Sequence, residues 1–166
     1  MKTAKVNVDG TDFRICKKKP FCKEWYSHKF NGPALRYEVA SCIQTGDIVW
    51  INGPFKAGKY SDITIFRDKL KFKLKEASKK AEADDGYRGE KETIRLPKDF
   101  VSKSDYRAKK RSRTRHETIN GRFKQFSCLS MTYRHSVDKH GIIFRAVACI
   151  VQISFECGEK PFQVNC

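Results

Sequence analysis

A mixed α/β layered domain is the fold class this sequence predicts, and three observations predict it. Short alternating runs fill the first third of the chain, and helical spacing takes over from Ser61. Two longer apolar stretches then occupy the second half. Strands, helix, strand, helices is an order that closes a sheet between helical layers. The chain has 166 residues, 39% of them hydrophobic, which suits one domain over 1–166 with a core of its own.

The elements follow in order. Val6 and Val8 point one way, Asn7 and Asp9 the other, so a first strand carries Asp9 at its end and stops at Gly10. A short run from Phe13 to Cys16 ends in Lys17–Lys19 and Pro20. Leu35–Ile43 and Ile48–Ile51 read as strands, and Gln44-Thr45-Gly46-Asp47 between them is a hairpin signal. Asn52-Gly53-Pro54 should then stop the sheet. Ile63, Phe66, Leu70 and Leu74 recur at helical spacing, with Ser61 or Asp62 as the cap. Lys69 to Lys75 also alternates strictly, which is strand periodicity, but helix is the expectation.

Ala81–Asp84 reads as a strand that breaks at Gly86, followed by a turn-rich piece to Pro97. Residues 103–115 carry many charges and no apolar periodicity, which predicts a mobile loop or a frayed helix start. Ile119, Phe123, Phe126, Leu129 and Tyr133 form the stripe of one helix. Ile142–Val151 is apolar nearly all round; its length argues for a buried helix, while its β-branched content also suits a strand.

Lys and Arg outnumber Asp and Glu by 35 to 19, a net charge of +16. Such an excess favours a polyanion, because neutralising phosphates releases condensed counterions. Nucleic acid is the expected partner; a solvated basic surface or a ribosome-associated protein is the bland rival. The seven cysteines form no CxxC pair, so the ligand spacing of a zinc site is absent. Several sit in apolar runs, as Cys149 does, which points to buried reduced thiols in an intracellular protein. Lys2 and Lys5 lead to Asp9 rather than to an apolar stretch, so no signal peptide is visible. The apolar run near 142–151 is too short to span a bilayer.

Phosphodiester cleavage needs an activated nucleophile and stabilisation of the leaving oxygen, which paired Mg²⁺ ions supply. Hard cations want oxygen ligands, so the search is for carboxylates converging from different elements. Asp9 and Asp84 each stand at a strand end, and Glu117 near the start of the striped helix. Taken singly, an acid beside glycine is more often a turn residue, and Glu117 in a first turn complements the helix dipole. Together they gain weight. At about 100° per residue, Arg113, Glu117, Asn120 and Lys124 fall within roughly a 60° arc, nearly opposite the apolar stripe. That face sets Glu117 between two cations able to hold phosphates, with Lys109, Lys110 and Arg111 nearby.

The pieces Val8-Asp9-Gly10-Thr11, Tyr26-Ser27-His28-Lys29, Leu35–Val39, Gly46–Phe55, Ser61-Asp62-Ile63, Asp84-Asp85-Gly86-Tyr87 and Glu117–Lys124, in this order and spacing, resemble the DDE superfamily endonucleases. The likeness is to transposases of the PIF/Harbinger and related insertion-sequence type. The family's first Asp precedes Gly-Thr, matching Asp9; its second stands two before Gly-Tyr, matching Asp84 rather than Asp85. Related enzymes space Tyr, Arg, Glu and Lys as this chain spaces Lys110, Arg113, Glu117 and Lys124, with Lys110 in the tyrosine's place.

The resemblance implies an RNase H-like sheet flanked by helices, with Asp9, Asp84 and Glu117 as catalytic and metal-holding acids. It implies Mg²⁺ or Mn²⁺, two ions, as cofactor. The implied reaction is DNA cleavage followed by attack of the freed 3′-hydroxyl on a target strand. Arg113, Asn120, Lys124, Lys110 and Arg111 would touch DNA, and a homo-oligomer is the expected active form, in the nucleus of a eukaryote or otherwise in the cytoplasm. Asp12 and Asp85 are rivals for neighbouring roles; Asp62 reads as a helix cap that could also assist near the site; His28 and His116 could bind metal but read first as a surface and a backbone-contacting histidine. Met1 precedes Asp9 by only eight residues, so site recognition is expected from a separate DNA-binding protein, another subunit or a domain missing from a truncated chain. Two other classes compete: a domesticated DNA-binding protein without catalysis, and a basic RNA-binding protein, which would need exposed aromatics.

Overall fold

The alternation that opens the chain does not stop at Gly10. In the computed structural model, which describes residues 4–16, 20–99 and 103–161, β1 is one strand, Ala4–Arg14. Val6 to Arg14 pair antiparallel with Cys42 to Ala34 of β3 (Gly32–Cys42), so the ladder carries the glycine through. β2 (Tyr26–Ser27) pairs with the start of β3. The Gly46 hairpin forms as expected, with Gly46 at φ +81. Its second strand β4 (Ile48–Lys56) runs on through Asn52-Gly53-Pro54, contrary to expectation. Among the described residues β4 pairs only with β3, so a proline there has a free side on which no ladder bond is lost.

Helical phase wins over alternation after Ser61. Ile65, Phe66, Leu70 and Leu74 are buried, whereas Phe72, on the competing strand pattern, is 57% exposed. The segment is two helices, α1 (Asp62–Asp68) and α2 (Leu70–Glu76), divided where Lys69 leaves helical geometry at φ −137. β5 (Lys80–Glu82) lies parallel to β1, and β6 (Ile94–Arg95) parallel to β5. Among the described residues, six strands thus form one mixed sheet, antiparallel across β4-β3-β1 and parallel across β1-β5-β6. Helices cover both faces. The fold is α/β, and its strand order and directions are compatible with an RNase H-like fold.

Residues 103–115 are neither loop nor frayed start: α3 is continuous from Lys103 to Phe123. Its sheet-facing groups include Lys109, Ser112, Arg115 and His116, all buried, so the packing face is polar and shows no apolar period. The stripe read as one helix to Tyr133 is divided as well. α3 ends at Phe123, α4 is the single turn Ser127–Ser130, and Tyr133 bridges to Ile15. α5 (Val137–Glu156) is the long apolar helix, but only one side is buried. Phe144, Val147, Val151 and Phe155 enter the core, while Ile142, Ile150 and Ile153 are exposed.

Two cores result. Phe13, Leu35, Tyr37 and Val39 pack against α3, α4 and α5 on one face. Val8, Ala40, Ala81 and Ala83 pack with Phe66, Leu70 and Leu74 on the other. The expectation of buried thiols fails: of the six described free cysteines, four are exposed and two half-buried, Cys149 lying on the outer side of α5. Among the described residues no helix is long and apolar enough to cross a membrane.

Candidate active site

Parallel pairing positions the first two acids. Asn7 of β1 stands opposite Glu82, the last residue of β5. Carrying that register two residues further brings Asp9 level with Asp84. Asp84 then caps the single turn 85–87, its carboxylate accepting the Gly86 N–H at 2.8 Å. Asp9 accepts the Gly10 N–H at 2.8 Å. Both acids line a cavity of ≈ 30 Å³ with Asn7, Lys109, Arg113 and His116. That is room for roughly one water-sized body.

Burial pushes the Asp9 carboxyl up to about 6, with Lys29 and the Gly10 N–H opposing and Asp84 and Asp62 reinforcing. Lys29 is held by its own hydrogen bond to the Gly10 carbonyl, 2.9 Å. Asp62 enters from the opposite face of the sheet and is the residue the sequence reading undervalued. Ser61 is the N-cap; Asp62 is the first helical residue, and its carboxylate lies over Gly10, where a Cβ would sit 2.1 Å from Asp62 Oδ1. Its pKa is raised, chiefly by burial, with Arg36 and Lys29 opposing and Asp12 and Asp84 reinforcing.

Asp12 is removed from the competition. It accepts from Arg36 Nε at 2.7 Å and Ser27 Oγ at 2.6 Å with a fully buried side chain. Burial raises its pKa, but those two partners outweigh burial and leave it lowered. Asp85 is exposed and pairs with Arg88, so of the adjacent acids it is Asp84 that turns to Asp9.

Glu117 is not drawn in with the two aspartates. Its side chain is 60% exposed and meets Arg113 Nε at 3.4 Å, one turn back along α3. Arg113, not Glu117, lines the cavity. Among the described residues no three His, Cys, Asp or Glu side chains stand close enough to hold a metal ion together. Lys110, Arg111 and Lys124 are exposed on α3 and just past its end, and Asn120 is half-buried with an unpartnered Oδ1. Lys109 differs from its neighbours: it is buried, and its ammonium donates to the carbonyls of Ala83 and Arg95. Burial lowers it to about 8 against the pull of Glu82. His28 is exposed. His116 is fully buried on Ser41 Oγ at 3.2 Å, a side-chain rather than a backbone partner, and burial holds it down to about 4.

Lys29, Asp62 and His116 were the site's less legible members. The signal for Asp62 was available in hindsight at Gly10: a glycine inside a strand marks a close approach. Comparison with known proteins identifies no relative: no family model, no curated protein and no solved structure matches this chain.

Proposed function

We propose that this chain is a DDE-type transposase catalytic domain that cuts DNA and joins the freed 3′-hydroxyl to a target strand. The observation that carries the reading is the meeting of Asp9, midway along β1, and Asp84, just past the end of parallel β5, in one cavity beside the helix that bears Glu117. The two aspartates offer the oxygen donors a hard divalent cation takes, and both are partly buried. Asp9 and Asp84 would hold Mg²⁺ or Mn²⁺, with Glu117 completing the set. When bound, such ions activate water and neutralise charge developing at the phosphate.

The chain's own residues supply the rest. Arg113 lines the acid cavity and holds Glu117 at its far side. A DNA phosphate would compete with Glu117 for that guanidinium, and the proposed chemistry requires Glu117, once displaced, to turn toward the acids. Lys124, Lys110 and Arg111 extend the positive face along the backbone, while Lys109 stays inside to tie α3 to the end of β5. Sequence choice is left to a separate DNA-binding protein or a second subunit, because phosphate contacts carry no sequence information. In a eukaryotic cell the protein would work in the nucleus.

A second reading, DNA binding without cleavage, is favoured by one observation, the withdrawal of Glu117 to Arg113. Incubation of the protein with supercoiled DNA and Mg²⁺ or Mn²⁺ separates the two. Nicked circles from the wild type and none from Glu117→Gln support the transposase reading. Tight binding with no nicking under either metal supports the second.

A further inference from the structure

Beyond the acid site lies a second basic concavity. Two adjoining cavities of ≈ 410 and ≈ 400 Å³ share Arg14, Phe30, Thr132 and Arg134 in their walls. The second adds Lys124 and the exposed Met131. Neither lining contains a carboxylate. Arg14, Lys124 and Arg134 are all exposed, and none is paired with an acid among the described residues. The Arg14 guanidinium lies 4.8 Å from the centroid of the Phe30 ring, which holds it flat while its edge stays open to a partner.

The position matters as much as the charge. Arg14 follows Asp9 by five residues on β1, about 17 Å at the rise of a strand. Lys124 follows Arg113 by eleven on the line of α3, about 16 Å at helical rise. Strand and helix therefore lead from the acid cavity to the same place. Phosphates of one strand advance about 3.4 Å per nucleotide along the duplex axis, so this distance corresponds to about five base pairs measured along that axis.

We infer that the Arg14–Phe30–Arg134 concavity is a second DNA-backbone site, gripping the duplex about five base pairs along its axis from the acid cavity of Asp9 and Asp84. This rests on the transposase reading for its position but not for its chemistry. Arg14 and Arg134 hold phosphates, Phe30 keeps Arg14 in place, and Lys124 joins the two sites into one track.

The test is fluorescence anisotropy of a labelled duplex in EDTA, where cleavage plays no part, over a series of salt concentrations. Arg14→Gln combined with Arg134→Gln should lower the slope of log affinity against log salt by about 1.8, near 0.9 for each lost contact. Phe30→Leu should weaken binding less and leave the slope nearly unchanged. Both positively charged side chains are exposed, so the double variant should melt with the wild type. An unchanged slope in a folded double variant overturns the inference, and leaves the transposase reading standing if nicking persists. The expected slope change in a protein that never nicks supports the groove while the cleavage reading falls. A wild type that fails to bind duplex at low salt overturns both.

Discussion

Gly10 shows how one missing side chain arranges an acid site. Any Cβ there would meet the Asp62 carboxylate at 2.1 Å, deep in a strand whose neighbours are fixed by β3. Gly10→Ala should therefore destabilise the protein by roughly 1–3 kcal/mol, the usual cost of overpacking. Asp62→Ala in the same chain should recover most of that loss. Urea denaturation of the three proteins checks it, and additive losses would contradict it. Asp9 makes a pH-dependent prediction. Its folded carboxyl titrates near 6 against an ordinary 3.8, so the folded state binds the proton more tightly. That contribution is present at low pH and is lost as pH rises from about 4 through about 6. In the metal-free protein, Asp9→Asn should then be more stable than wild type above about pH 6, by on the order of 3 kcal/mol, and about equal to it near pH 4. Melting temperatures across that range decide it.

At the scale of elements, the polar underside of α3 separates what was legible in the sequence from what was not. The Gly46 hairpin and the Asp84 turn could be read, because glycine and acid side chains announce turns by local chemistry. The helical phase of Leu70 and Leu74 could be read because burial follows it. α3 could not. Its contacts with the sheet run through Asn7 Nδ2 to Ser112 Oγ at 3.1 Å, His116 to Ser41, and Arg115 Nη1 to the Ile43 carbonyl at 2.7 Å. No hydrophobic period records hydrogen bonds made to residues 72 to 105 positions away. The Glu117 contact was illegible for a related reason: helical spacing gives its face, but not that Arg113 meets it there. If this polar seam holds the helix down, Ser112→Ala should cost about 1–3 kcal/mol, since the buried Asn7 amide loses its acceptor. A loss within experimental error would mean that Ile119 and Phe123 anchor α3 unaided.

Taken whole, the molecule gathers the half-buried acids Asp9, Asp62 and Asp84 within a chain of net charge +16. The surplus cations draw a nucleic-acid backbone without choosing a sequence. The acids repel that same backbone until cations intervene, so the account rests on metal occupancy. Titration of the intact protein with Mn²⁺ at neutral pH, followed by the loss of the free ion's electron paramagnetic resonance signal, tests this most directly. Wild type and Asp85→Asn should take up the metal, and Asp84→Asn should not. Uptake by Asp84→Asn equal to that of the wild type would contradict the account.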